Sequence, residues 1–218
     1  MNHTIARNLA ELLILDLLPG CTRVEIAGSV RREKPEPHDL EIVVIPKSSF
    51  VPTGNLFGEM SELECDHFEP AFMSLLERGE WELDPVLKRD GPHYKRLRQV
   101  TLGMCADVFL TTKRGWGGAM AIRTGPADFS QALVTLARRQ GKHVADGYLI
   151  HGHSKPRRPG PDGEEEVEYA CPNGASCPLI LPTAEEADFF AALELPYWDP
   201  ATRTADLVWK KAKMEVRG

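Results

Sequence analysis

Near the start of the chain, Ile5, Leu9, Leu12, Leu13 and Leu17 recur at helical spacing, and Pro19-Gly20 ends the run, so the pattern predicts a helix there. Val24 and Ile26 then alternate with Arg23 and Glu25, the period of a short strand. Gly28-Ser29 follows directly. Leu40 to Ile45 is apolar except for Glu41 and is closed by Pro46, which suits a central strand better than a helix. Positions 47–65 show neither period and read as a variable loop. Ala71 to Arg78 reads as helix, Tyr94 to Met104 as extended, and Ala106 to Thr111 as a second core strand interrupted by Asp107. Further on, Phe129, Leu133 and Leu136 share one face of a helix predicted over Ala127 to Arg139, with Gly141 as its stop. His151 to Glu168, rich in Pro, Gly and charge, reads as a loop inside a small sheet region. Thr183 and Glu186 are placed as a capping box ahead of Phe189, Phe190 and Leu193. Helices and strands mixed in this way, with no internal repeat, predict an α+β fold.

Size and composition narrow the picture. A chain of 218 residues with 42% hydrophobic content is one large domain or two small ones, and it can bury a sizeable core without staples. Five cysteines form no dense framework, and the first residues lack a basic segment followed by an apolar run, so the expectation is a reducing cytoplasm. No apolar stretch approaches the roughly 20 residues that a membrane helix needs. The formal net charge of -6 argues mildly against a broad grip on nucleic acid. Local clusters remain as candidate DNA contacts: Lys88, Arg89, Lys95, Arg96 and Arg98, then Arg138, Arg139 and Lys142. Each reads equally well as a solvated face.

The chemistry centres on acids inside predicted strands. Asp39 and Glu41 stand two apart, so they project from the same face of one strand. Two uncompensated buried carboxylates would repel; they face water, are protonated, or hold a cation between them. A divalent ion is the natural third party, because Mg²⁺ is commonly held by one or two carboxylates plus substrate phosphates. Asp107, on a later apolar strand, would join them if the strands are neighbours, and it reads otherwise as a satisfied core carboxylate. Three carboxylates with two metal ions would suit in-line nucleotidyl transfer. His151, His153, Cys171 and Cys177 offer a second possible ligand set, for zinc, although their spacing fits no compact knuckle and a polar loop is the plainer reading.

The segments "VEIAGSVRRE" and "HDLEIVV" resemble the palm motif of the nucleotidyltransferases of the DNA polymerase beta type, and more narrowly of the family X DNA polymerases. "CADVFL" resembles the strand with the third carboxylate. "RTGPADFSQALVTLARRQG" and "GYLI" are similar to the thumb, and "LPTAEEADFFAALELPYWDPATR" to the family's C-terminal stretch. The resemblance runs, with gaps, from about Val24 to about Arg203. It implies a nucleotidyltransferase palm, a mixed sheet with helices, over 1–115 and a small α/β thumb over 116–218. It also implies a monomer that uses a nucleoside triphosphate and two Mg²⁺ ions, with Mn²⁺ able to substitute, to extend primer ends or fill gapped DNA as in DNA repair.

Carried onto this chain, the resemblance gives Asp39 and Glu41 both metals, and Asp107 the catalytic metal and the activation of the primer hydroxyl. Gly28 and Ser29 would meet the triphosphate, Arg32 would neutralise phosphate charge, and Thr124 and Gly125 would sit beside the sugar. Several positions depart from the family. Ile122 and Arg123 stand where an aromatic pair is usual, Cys105 where an Arg often precedes the third acid, and Ser130 and Val134 where the nascent base pair is contacted. No room is left for the lyase and fingers domains of larger relatives. The runner-up function is nucleotidyl transfer to a non-DNA acceptor: a small molecule, an RNA end or a protein. A binding protein with a decayed site comes third.

Overall fold

The first helix, α1 (His3–Leu17), begins where the Asn2 side chain accepts the Ile5 N–H at 3.0 Å. In this computed structural model, which describes residues 1–54, 60–145, 147–151, 155–156, 167–168 and 177–215, its buried stripe is Ala6, Ala10, Leu13 and Leu17. Two of the leucine-spaced positions expected inside are instead outside: Ile5 is 48% and Leu12 59% exposed. The alanines take their place because a small side chain lets the helix backbone lie close to the sheet. A 3-10 turn, Leu18–Gly20, leads into β1 (Cys21–Ile26), followed by the single helical turn α2 (Gly28–Arg31) and by β2 (Asp39–Pro46).

The region read as a loop is a hairpin of β3 (Ser48–Gly54) and β4 (Met60–Asp66), paired antiparallel. Phe50, Val51 and Leu63 remain exposed, so backbone bonds rather than burial hold it, and the sequence carries no core pattern to betray it. Asp66 then accepts the Phe68 N–H at 2.8 Å, and α3 (Phe68–Glu77) buries Phe68, Phe72 and Leu75. The unit is completed by β5 (Trp81–Leu83), β6 (Tyr94–Gln99) and β7 (Cys105–Leu110).

These strands form one mixed sheet of order β1-β2-β7-β6-β5, in which β2 and β7 are parallel and the other neighbours antiparallel. Leu40, Ile42 and Val44 of β2, Ala106 and Val108 of β7 and Leu97 of β6 pack with the buried residues of α1 and α3 in one core. Each such Leu, Ile or Phe contributes about 1.5 to 3 kcal/mol when fully buried. Strand alternation sends Asp39, Glu41 and Asp107 to the opposite face.

Met1–Val30 with Lys34–Leu110 make this first unit; Arg31–Glu33 with Thr111–Gly218 make the second. The second unit contains α4 (Trp116–Thr124), α5 (Ala127–Arg139), β8 (Lys142–Ala145), β9 (Tyr148–His151), β10 (Lys155–Pro156), β11 (Val167–Glu168), β12 (Ile180–Leu181), α6 (Glu186–Ala192), a 3-10 turn at Pro200–Thr202, and α7 (Ala205–Glu215). Strands run β12-β9-β8, all antiparallel, with β10 and β11 as a separate pair. Phe129, Leu133 and Leu136 of α5 meet Phe189, Phe190 and Leu193 in its core.

Helix α4 was not legible. A Cβ on Gly117 would stand 2.1 Å from the Glu185 carbonyl oxygen, and one on Gly118 2.0 Å from that of Gly147, so these glycines exist to bring backbones together. The capping box also shifts. It is formed by Glu185 and Asp188, because the first helical residue is Glu186 itself, and the Thr183 hydroxyl donates instead to the Arg114 carbonyl at 3.0 Å. The architecture is α+β. Among the described residues no helix is long and apolar enough to cross a membrane.

Candidate active site

The acids are set by register. Asp39 pairs with Cys105 and Glu41 with Asp107 across the parallel β2/β7 ladder, while Asp107 pairs with Arg96 and Cys105 with Arg98 across β6. One row across the sheet therefore reads Glu41, Asp107, Arg96, and the next reads Asp39, Cys105, Arg98. All six lie on the face turned away from α1 and α3.

Gly28 completes this region. Its φ is 63°, and a Cβ built there would lie 1.9 Å from Glu41 Oε2, so a residue without a side chain is required for the carboxylate to occupy its place. The Ala27 N–H donates to the Glu41 carbonyl at 2.7 Å, which ties the Gly28 turn to β2. Next to it, the Ser29 hydroxyl is buried and without a hydrogen-bond partner.

Asp107, 8% exposed, accepts two bonds on one oxygen, Oδ1: from the Tyr94 hydroxyl at 2.8 Å and from Arg96 Nη1 at 2.6 Å. Tyr94 is stacked on Phe109 with ring centroids 5.1 Å apart, and burial pushes its pKa up, with the Asp107 hydrogen bond adding to the rise. Arg96 also donates from Nε to Asp84 Oδ2 at 3.1 Å. Burial disfavours its charge, but the bonds to Tyr94, Asp107 and Asp84 outweigh that and push its pKa up. Asp84 is 5% exposed, and its Oδ1 accepts the backbone N–H groups of Val86 and Leu87 at 2.8 and 2.9 Å. The Leu87 N–H, joined by Val86, Arg96 and Cys105, holds its carboxyl at about 2 against its partial burial.

Asp39 is the opposite case. Burial raises its pKa, and the charge of Asp107 raises it further, while Arg96 and His38 oppose. Asp107 and Asp39 thus both lie within the field of one guanidinium, Arg96. Carboxylate oxygens grouped on one face are what a hard divalent ion takes, and the orphaned Ser29 hydroxyl beside them suits a phosphate oxygen, so the residues fit a metal-bound nucleotide. Their side chains are not drawn into a cage: among the described residues no group of three or more His, Cys, Asp or Glu is ready to hold a metal ion. Asp107 has turned to Arg96 and Tyr94 instead. For the zinc reading, His151 is exposed and Cys177 buried, and His153 and Cys171 lie outside the described residues.

The remaining nucleotide-binding candidates belong to the second unit. Arg32 Nη1 donates to the Thr124 carbonyl at 2.5 Å and Arg31 Nη1 to the Thr124 hydroxyl at 2.8 Å, and Thr124 is fully buried. Gly125 N–H closes α4 on the Ala121 carbonyl, and a Cβ there would meet Phe129 Cδ1 at 2.5 Å. The Ser130 hydroxyl is taken by the Ile122 carbonyl at 2.7 Å. Arg31 Nη2 also meets Glu186 Oε2 at 2.8 Å, and Arg203 Nη1 meets the other oxygen, Oε1, at 2.6 Å.

Several proposed DNA contacts are engaged within the chain. Lys95 is buried between Asp90 at 2.5 Å and Glu69 at 2.7 Å, Arg98 is paired with Glu82, and Lys142 Nζ donates to the Ala192 carbonyl at 2.7 Å. Arg139 lies over the Trp209 ring, 4.9 Å from its centroid. Lys88, Arg89 and Arg138 are exposed.

Sequence reasoning missed Asp84, Tyr94 and Arg203, and gave Glu186 a capping role in place of its ion pairs with Arg31 and Arg203. A signal existed for Tyr94 and Arg96, which alternate along β6 on one face. For the ion pairs of Glu186 there was none, since its partners Arg31 and Arg203 are 155 and 17 positions away. Compared with models of known families and with curated proteins, the chain matches none.

Proposed function

We propose that the acid face of the first unit is the active centre of a nucleotidyltransferase that adds a nucleotide to a 3′-hydroxyl of DNA, at primer ends or gaps. One observation carries the reading: Glu41 and Asp107 are cross-strand partners with Asp39 on the same face, while the opposite face packs the apolar core. Asp39, Glu41 and Asp107 would hold divalent metal, which when bound supplies charge neutralisation at the phosphates and a more acidic attacking hydroxyl. The chain's own residues supply the rest. Asp107, partly desolvated, accepts the proton of the attacking hydroxyl. Gly28 leaves room for Glu41, and the Ser29 hydroxyl donates to a phosphate oxygen.

Single-nucleotide insertion on gapped and primed DNA, with and without template and with Mg²⁺ or Mn²⁺, tests this. The expected result is insertion by the wild-type protein and a loss of at least about a hundredfold in Asp107→Asn, with nucleotide binding retained because Asp39 and Glu41 remain. No insertion on any DNA would overturn it. A second reading, transfer to a non-DNA acceptor, is favoured by the internal engagement of Lys95, Arg96, Arg98 and Lys142, which leaves few cations for a phosphate backbone. Nucleotide consumption without DNA extension would select it.

A further inference from the structure

Arg96 is shared between two carboxylates by different nitrogens, Nε to Asp84 and Nη1 to Asp107. Asp84 divides its own oxygens just as cleanly: Oδ1 takes the Val86 and Leu87 N–H groups, and Oδ2 takes Arg96 and, at 3.5 Å, the Cys105 thiol. The result is a rigid relay. A backbone turn fixes Asp84, Asp84 fixes the guanidinium plane, and the guanidinium with Tyr94 fixes Oδ1 of Asp107. Oδ2 of Asp107 takes no part in that fork.

We propose that Asp84 is a positioning residue of the acid face, acting through Arg96 to clamp one oxygen of Asp107 and keep the other as its working oxygen. The proposal rests on the nucleotidyl-transfer reading. Its physical basis is that a guanidinium fork orients two partners at once, whereas an Arg96 released from Asp84 would be free to settle its whole charge on Asp107 and Asp39 and compete with a metal for them. Cys105, in the register position between Asp39 and Arg98, contributes only a weak thiol donor, so the cation reaches the third acid from β6.

Asp84→Asn separates positioning from mere folding. The introduced amide oxygen can still accept the Val86 and Leu87 N–H groups, while its NH₂ presents a donor to the Arg96 donor. The test measures Mn²⁺ affinity by electron paramagnetic resonance, and kcat and KM for single-nucleotide insertion, in the full-length wild type, Asp84→Asn, Arg96→Gln and the double variant.

The expected result is a kcat about tenfold lower in Asp84→Asn with nucleotide KM unchanged within about twofold, the split expected when reacting groups are misplaced but binding is not. Mn²⁺ affinity should fall at least about threefold, and the double variant should be no worse than Arg96→Gln alone. Unchanged kcat and Mn²⁺ affinity would overturn the proposal, as would losses that multiply in the double variant. If the wild type binds Mn²⁺ but transfers nothing, the functional reading fails and the Mn²⁺ arm still decides the positioning role. If it binds no Mn²⁺, both fall. Should Asp84→Asn not fold, Arg96→Lys takes its place: it keeps a charge beside Asp107 but loses the two-point fork, and wild-type kcat and Mn²⁺ affinity in that variant would overturn the proposal.

Discussion

The two units use charge in opposite ways. In the first, one cation, Arg96, is held between two carboxylates, Asp84 and Asp107, with Asp39 and Glu41 on the same face as Asp107. In the second, one carboxylate, Glu186, is held between two cations, Arg31 and Arg203. Glu186 is 7% exposed and Arg203 3%, and the guanidinium of Arg203 also donates to the Trp198 carbonyl and lies over Phe190, 5.1 Å from the ring centroid. That network is closed: both oxygens of Glu186 are used, and of the flanking cations Arg31 also donates to the Thr124 hydroxyl and Arg203 to the Trp198 carbonyl. The first is open, because Asp39 sits in it with a pKa raised by burial and by the charge of Asp107. A satisfied buried network specifies a fold, and an unsatisfied one leaves charge available for a ligand.

The largest expected effect falls on the closed network. Glu186→Gln keeps the side-chain shape but leaves the buried Arg203 and the half-buried Arg31 without their counter-charge, so urea unfolding should show a loss of about 3 kcal/mol. A loss below about 1 kcal/mol would break the contrast, since it would mean that the second unit also tolerates uncompensated charge.

Acid titration sharpens it next. The Asp84 carboxyl is depressed from 3.8 to about 2, so its contribution to stability is present above pH 3.8 and is lost as pH falls through about 2. The stability gap between wild type and Asp84→Asn should accordingly be flat above about pH 4 and close between pH 4 and 2. A gap that closes instead near neutral pH would show that Asp84 is not held by these hydrogen bonds.

The smallest effect has the opposite sign. Asp39 is raised by burial first and by Asp107 second, so its ionisation works against folding, and removing the charge should stabilise. Asp39→Asn is expected to raise the melting temperature at pH 7 by roughly 1 to 3 °C, with the gain vanishing below about pH 4, where the unfolded chain also holds the proton. A lower melting temperature would mean that the acid face is already compensated and the two networks are alike.

These contrasts also mark where the sequence could be read. Strands β2 and β7 were legible because their apolar runs carry acids at alternating positions, and α5 because Phe129, Leu133 and Leu136 repeat and Gly141 stops them. The candidate acids followed from the same alternation. The stripe of α1 was misread because alanines carry no hydrophobic signal, although they are what a close helix–sheet approach selects. Helix α4 was missed because Gly117 and Gly118 look like loop residues until the carbonyls of Glu185 and Gly147 are seen beside them. Asp84 and Glu186 lay beyond reach for another reason. Their roles depend on which oxygen faces which arginine, and that is decided by strand register and by contacts between distant segments.

The membership of Arg31–Glu33 in the second unit has a consequence for how the chain can be divided. The unit is discontinuous: three residues threaded between Val30 and Lys34 complete a structure whose other residues begin at Thr111. Within that short insert the backbone turns at Glu33 with a φ of 58°, and Arg31 supplies one of the two cations on Glu186. A cut before Thr111 therefore releases a carboxy-terminal piece with its carboxylate half-neutralised and the Thr124 carbonyl without Arg32. Such a piece should be recovered folded only when the amino-terminal piece is made alongside it, so the two halves of this chain are partners in folding before they can be partners in any reaction.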